Sequence, residues 1–134
     1  MVKDSLVICV DFDGCICDFK FPDIGEMKEN AKFVLDSLHK AGCKIIIHTC
    51  RTNTSLNSDE SVTNKYVQDM EKWLKEKEIP YDEIWEGKGK PYAHFYIDYR
   101  AITFTNWVHV FGVLLDIVNK IKRGEENGKI HKPF

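Results

Sequence analysis

Hydrophobic positions along the chain alternate between short continuous runs and segments with helical spacing. The run Leu6–Val10 predicts a buried strand within residues 5–11, and apolar side chains recur at helical spacing over residues 26–40. The same two patterns recur further along, predicting strands at 45–48, 83–85 and 94–98 and helices at 62–78 and 107–121. Strands that alternate with helices predict an α/β protein, in which a short parallel sheet carries helices on both faces.

The length of 134 residues predicts one domain spanning residues 1–134. Its core is expected to cover about residues 5–121, and the charged, glycine-containing segment 122–134 is expected to be a mobile tail. The connections between predicted elements are short, so no large additional domain is expected above the sheet. The expected architecture is therefore a three-layer, Rossmann-like fold.

Composition narrows the classes of function. A net charge of −2 argues against a broad electrostatic grip on nucleic acid. No apolar stretch has the length needed to span a bilayer, so no membrane partner is expected. The five cysteines are odd in number and scattered through strand-like segments, which does not suggest a disulfide framework. A cytoplasmic location is expected.

Side chains suited to chemistry follow the predicted strands. Asp11 and Asp13 come directly after the first apolar run, and two carboxylates two residues apart point to the same side of an extended backbone. Like charges this close repel each other unless a cation or a proton lies between them. Thr49 and Asp98 end two other predicted strands, and Lys90 lies in the loop before the last strand. Ligands of parallel α/β sheets bind beyond the carboxyl ends of the strands, so these groups are expected to meet there.

Each of these groups has a physical role in phosphoryl transfer. A carboxylate attacks phosphorus and forms an acyl-phosphate, which divides one difficult step into two easier ones. A second carboxyl group donates a proton to the leaving oxygen and later accepts one from water. A hydroxyl group and a lysine hold the phosphoryl oxygens. Mg²⁺ prefers oxygen ligands, which carboxylates and a main-chain carbonyl supply.

The order of these motifs resembles the haloacid dehalogenase-like (HAD) superfamily of phosphohydrolases. Asp11-Phe12-Asp13-Gly14 is similar to its first motif, and Ile45-Ile46-Ile47-His48-Thr49 is similar to its second. Lys90 fits its third motif, and Tyr96-Ile97-Asp98 is similar to its fourth. The resemblance covers roughly Leu6 to Phe111, and the short connections resemble members without a cap domain.

The resemblance implies the roles of the acidic residues. Asp11 is expected to be the nucleophile and Asp13 the general acid and base. Mg²⁺ is the expected cofactor, held by the Asp11 carboxylate, the main-chain carbonyl of Asp13 and Asp98. Where the family usually has a second acid in its fourth motif, this chain has Tyr99. This departure leaves open a second hypothesis, a catalytically weak or silent module that binds phosphate or a nucleotide.

The residues predicted to bind phosphate and substrate each have an alternative role. Thr49, Cys50 and Lys90 are the expected phosphate-binding residues, although Thr49 also suits a helix cap and Lys90 a solvated loop. Arg51 either binds substrate or pairs with an acidic residue at 59–60. The expected substrate is a sugar phosphate, a nucleotide or a 3′-phosphorylated nucleic-acid end, since the layout is similar both to polynucleotide 3′-phosphatase domains and to small sugar-phosphate phosphatases. An open site also suits a homo-oligomer, in which a neighbouring subunit completes it.

Overall fold

The computed structural model describes residues 5–124 of the chain. Strands and helices alternate along most of it, with one short 3₁₀ turn after the second strand. The elements are β1 (Val7–Val10), α1 (Ala31–Lys40), β2 (Lys44–Ile47), the 3₁₀ turn (Cys50–Thr52), α2 (Glu60–Glu76), β3 (Glu83–Ile84), β4 (Phe95–Ile97) and α3 (Trp107–Lys122).

The chain divides into two compact units, and the boundary lies between Asp98 and Tyr99. The first unit contains all four strands together with α1 and α2, and the second contains α3. A single domain over residues 1–134 stays a prediction. Of the predicted tail, Lys122 belongs to α3, and residues 125–134 lie outside the described residues.

The four strands form one parallel sheet in the order β3-β2-β1-β4. The register pairs Val10 of β1 with Ile47 of β2 on one side and with Ile97 of β4 on the other. The strand that precedes the two predicted catalytic aspartates therefore lies inside the sheet, between two neighbours. This arrangement confirms the predicted parallel α/β fold.

One face of the sheet packs against α1 and α2. Side chains alternate across a strand, and the register places Ile8 beside Ile45 and Val10 beside Ile47, so these four side chains share a face. Right-handed crossovers from β1 to β2 and from β2 to β3 bring both helices to the same face. Each aliphatic side chain fully buried there contributes about 1.5–3 kcal/mol. The residues that the two helices bury in this core are Leu35, Met70 and Leu74.

The first helix begins later than predicted. Apolar spacing suggested a start at residue 26, whereas α1 begins at Ala31. The residues before α1 pair instead with the loop after β1. Cys17 and Met27 form an isolated antiparallel β-bridge, and the Lys28 N–H donates to the Ile16 carbonyl at 2.9 Å. These main-chain hydrogen bonds replace the helical ones, so Met27 lies in a β-bridge and residues 29–30 form a turn that leads into α1.

The helix of the second unit agrees closely with the sequence pattern. It was predicted at 107–121 and is observed as α3, and the Asn106 side chain caps it by accepting a hydrogen bond from the His109 N–H at 2.9 Å. None of the residues of α3 is buried. Within the described part of the chain, no helix combines the length and the hydropathy needed to cross a membrane.

Candidate active site

Two carboxylate residues lie side by side at the carboxyl edge of the sheet. Asp11 follows β1, and its N–H donates to the Ile97 carbonyl of β4 at 3.0 Å, which extends the β1–β4 pairing by one residue. Asp98 follows Ile97 directly, just after the end of β4. The Oδ1 atom of Asp11 also accepts a hydrogen bond from the Phe12 N–H at 2.9 Å. Strand pairing therefore brings Asp11 and Asp98 to neighbouring positions, as the sequence predicted.

The thiol of Cys9, a buried residue of β1, is affected by the charges at this edge. Burial, together with the negative charges of Asp11 and Asp98, raises the pKa of Cys9 to about 11, while Lys90 acts in the opposite direction. Partial desolvation lowers the pKa of His48, although this residue is largely exposed, and Asp98 opposes that shift. Three predicted site residues, two acidic and one basic, are thus close enough to act on the same thiol.

A tight turn after Asp11 directs the second aspartate inward. Gly14 has a φ of +92°, a conformation that glycine adopts without strain, and its N–H donates to the Cys17 carbonyl at 2.8 Å. Phe12 is fully buried and packs edge to face on Trp73, with ring centroids 5.4 Å apart. A buried ring on one side and a glycine on the other hold the turn in place, so Asp13 points away from solvent and is only 8% exposed.

Asp13 is paired with Arg51. The guanidinium Nε donates to Asp13 Oδ2 and Nη2 donates to Oδ1, both at 2.8 Å, which is the bidentate geometry of a strong charge-assisted pair. Arg51 is fully buried. The predicted surface pair between Arg51 and residue 59 or 60 is therefore wrong: Asp59 instead caps α2 by accepting a hydrogen bond from the Val62 N–H at 2.9 Å.

Arg51 also holds the loop after the first motif. Its Nη1 donates to the Pro22 carbonyl at 3.1 Å, and its Nη2 donates to the Asp23 carbonyl at 2.9 Å. The guanidinium carbon lies 5.0 Å from the centroid of the Phe21 ring and 5.5 Å from that of Phe12. We call this set of contacts the Arg51 clamp. A direct contact between Arg51 and substrate would require this loop to move, so the geometry disfavours the predicted substrate role.

Sequence reasoning missed the clamp, although two signals pointed to it. Two aspartates at one strand end leave excess negative charge, and a buried arginine can balance one of the two carboxylates. Phe12 and Phe21 supply flat apolar surfaces, on which a guanidinium packs better than an ammonium group.

Thr49 acts as a cap in this structure. It is 5% exposed, and its Oγ1 accepts a hydrogen bond from the Arg51 N–H at 3.1 Å, which starts the 3₁₀ turn. Cys50 is the first residue of that turn and is exposed. The Asn57 side chain, which sequence reasoning did not identify, donates to the Arg51 carbonyl at 2.8 Å and holds the turn. The cap role of Thr49 is confirmed; phosphate binding by Thr49 and Cys50 stays a prediction.

Lys90 lies in an exposed loop fixed at both ends. The Trp85 indole donates to the Gly89 carbonyl at 3.1 Å, and the Tyr96 hydroxyl donates to the Pro91 carbonyl at 2.6 Å. The Lys90 ammonium lies 4.3 Å from the centroid of the Tyr96 ring. This contact holds the charge of Lys90 beside β4, the strand that Asp98 follows. Phosphate binding by Lys90 stays a prediction.

The acidic residues suit a magnesium ion with few protein ligands. Across residues 5–124, no three His, Cys, Asp or Glu side chains are grouped as metal ligands. The predicted set needs only two carboxylates, those of Asp11 and Asp98, because the carboxylate of Asp13 faces Arg51 and only its main-chain carbonyl is proposed as a ligand. Mg²⁺ usually keeps several waters and binds through one or two carboxylates, so this donor set fits.

The chain is structurally similar to a conserved protein from Bacteroides thetaiotaomicron, with a TM-score of 0.56 and 20% identity over 96% of this chain and 99% of that one. A structural-genomics target from Vibrio cholerae matches with a TM-score of 0.46 and 21% identity, over 84% of this chain and 98% of the other. The first similarity supports the parallel α/β fold alone. No protein-family model and no curated protein matches the chain.

Proposed function

We propose that this protein is a Mg²⁺-dependent phosphatase of the HAD type, which hydrolyses a phosphate monoester through an aspartyl-phosphate on Asp11. The observation that supports the proposal most is the pairing of β1 with β4, which sets Asp11 and Asp98 at neighbouring strand ends. The charge of Lys90 acts at the same edge. These observations support a site built from three separate parts of the sequence, at the edge where parallel sheets bind ligands.

In the first step, the Asp11 carboxylate attacks phosphorus, the bond between phosphorus and the leaving oxygen breaks, and Asp13, as the general acid, donates a proton to that oxygen. The Lys90 ammonium and the Thr49 hydroxyl bind the phosphoryl oxygens, where negative charge is concentrated. A Mg²⁺ ion held by Asp11, Asp98 and the Asp13 main-chain carbonyl would neutralise charge between the nucleophile and the phosphoryl group.

In the second step, water attacks phosphorus and releases Asp11 and inorganic phosphate. Asp13 is the expected base for this water. Both of its oxygens accept hydrogen bonds from Arg51, and the Arg51 clamp therefore fixes the direction in which the carboxylate points. A proton that moves onto Asp13 must use the remaining lone pairs of these oxygens.

The same pair supports the second hypothesis, a phosphate-binding module with weak or no catalysis. With both oxygens accepting hydrogen bonds from Arg51, Asp13 has fewer lone pairs open to the leaving group or to water. In addition, Tyr99 occupies the position of the second family acid. This alternative predicts that phosphate esters bind in the presence of Mg²⁺ without turnover.

The proposal is tested by the hydrolysis of p-nitrophenyl phosphate with and without MgCl₂. We expect Mg²⁺-dependent turnover that chelation removes, and Asp11→Asn to lower kcat by at least about 10³-fold, because no other group replaces the nucleophile. A covalent phosphate on Asp11, detected by mass spectrometry after rapid acid quenching, would identify the intermediate.

Asp69→Asn is the matched control, because Asp69 is an exposed carboxylate of α2 that pairs with Lys65 and lies outside the site. It should leave kcat unchanged. Turnover that survives in Asp11→Asn would refute the proposal, whereas Mg²⁺-dependent binding of the ester without turnover in the parent protein would favour the silent module.

A further inference from the structure

A polar groove adjoins the candidate active site, and its walls come from elements that leave the same edge of the sheet. Its volume is about 280 Å³, close to the lower limit of small-molecule sites. The side chains that line it are Thr52, Thr54, Glu60, Asn64, Val67 and Glu86.

The groove lies beside the turn that follows Thr49 and contains Cys50, and beside the segment that follows β3. The Thr52 hydroxyl is 3.0 Å from the Thr49 carbonyl and 3.3 Å from the Trp85 carbonyl, so it links the turn after β2 to the segment after β3. The Trp85 indole in turn holds the loop that carries Lys90. A phosphoryl group bound between Thr49 and Lys90 would therefore have this groove as its neighbour.

The lining residues indicate what the groove can bind. Glu60, Asn64 and Val67 share one face of α2 at i, i+4 and i+7. Hydroxyl and amide groups both donate and accept hydrogen bonds, and carboxylates accept them, which suits a ligand whose hydroxyls do both. Among the described residues, neither a lysine, an arginine nor an aromatic ring lines the groove.

We infer that this groove binds the leaving group of the substrate and that the leaving group is a small neutral polyol, such as a sugar. The inference rests on the proposed phosphatase function. A nucleic-acid end would place further phosphates near Glu60 and Glu86, and strands are normally held by cations and by stacking on aromatic rings. The groove provides carboxylates instead.

The inference is tested by comparing kcat/KM for hexose 6-phosphates, a 3′-phosphorylated oligonucleotide and p-nitrophenyl phosphate. We expect at least one hexose phosphate to exceed the oligonucleotide by about tenfold or more. Asn64→Leu and Glu86→Gln should each raise the KM for that hexose phosphate roughly tenfold, the effect of losing one hydrogen bond, with kcat for p-nitrophenyl phosphate unchanged.

Glu71→Gln is the matched control for Glu86→Gln, because Glu71 is exposed on α2 and does not line the groove. Preference for the oligonucleotide, or groove variants that leave the hexose phosphate KM at the control value, would overturn the inference while p-nitrophenyl phosphate turnover upheld the phosphatase. Failure to hydrolyse any of the three esters would overturn both.

Discussion

Substitutions at the buried ion pair between Arg51 and Asp13 should change the stability of the fold by a measurable amount. Removing one partner of a buried ion pair leaves the other charge uncompensated and costs about 3–5 kcal/mol. Asp13→Asn keeps the shape of the side chain and leaves a fully buried guanidinium without its counter-ion. Arg51→Met leaves a buried carboxylate and also deprives the carbonyls of Pro22 and Asp23 of a donor. We expect Arg51→Met to be the more damaging of the two.

The double variant Asp13→Asn/Arg51→Met contains no buried charge at this position. Its loss of stability should therefore be smaller than the sum of the two single losses, with a coupling energy of about 1–3 kcal/mol. Arg51→Lys keeps the charge but not the planar fork, so its loss should be intermediate.

Urea unfolding followed by circular dichroism measures these differences. With a urea m-value of about 1.5 kcal/mol/M, a loss of about 3–5 kcal/mol moves the midpoint down by roughly 2–3 M. Lys72→Met serves as the control, because it removes an exposed 3.9 Å pair with Glu76 and should leave the midpoint within error of the parent protein. If the two single losses add up fully in the double variant, the pair is not coupled and the reasoning is wrong.

Other outcomes can be measured on the same protein. Gly25→Ala should destabilise the fold by about 1–3 kcal/mol in urea unfolding, because the new Cβ would overlap the main-chain oxygen of Asp18. Gly112→Ala, in α3, meets nothing within 4 Å and should stabilise the fold by about 0.5–1 kcal/mol. Iodoacetamide at pH 8 should label the exposed Cys50 first and leave buried Cys9, with its pKa of about 11, unlabelled by mass spectrometry until the protein is denatured. Because the folded state holds the pKa of His48 below 6.5, the unfolded state takes up the proton first as pH falls. That part of the stability is present above pH 6.5 and lost as pH falls through the folded-state pKa, so His48→Gln should lose less stability than the parent protein between pH 7 and pH 5.

The sheet and its helices were predictable because their signals are local. The apolar run of β1 contains its own evidence of burial, and α2 and α3 carry regular apolar spacing. In a parallel sheet the carboxyl ends of the strands share one edge, so the positions of Asp11 and Asp98 just after their apolar runs were enough to place them at that edge. The start of α1 was not predicted correctly. The residues before it form main-chain hydrogen bonds with a preceding loop, and the spacing of apolar residues does not indicate such bonds.

The Arg51 clamp could not be predicted in the same way because its partners are remote. Asp13 lies 38 positions before Arg51, and an arginine after a strand looks the same in sequence whether it meets solvent, a substrate or a buried carboxylate. The loop segment that Arg51 binds contributes only main-chain carbonyls at Pro22 and Asp23, which every residue type possesses. Whether a charged side chain is buried depends on tertiary contacts, and the spacing of apolar residues along the chain does not predict these contacts.

The internal position of β1 has a consequence for biosynthesis. Contacts with β4 join residues as far as 87 positions apart, so the ribosome must complete most of the chain before β1 acquires its second neighbour. Until then a nascent chain exposes one hydrogen-bonding edge of an apolar strand, the kind of surface that recruits chaperones or pairs with other chains. Asp11 and Asp98 come together only at that late stage, so a truncated translation product would contain the proposed nucleophile without its acidic neighbour.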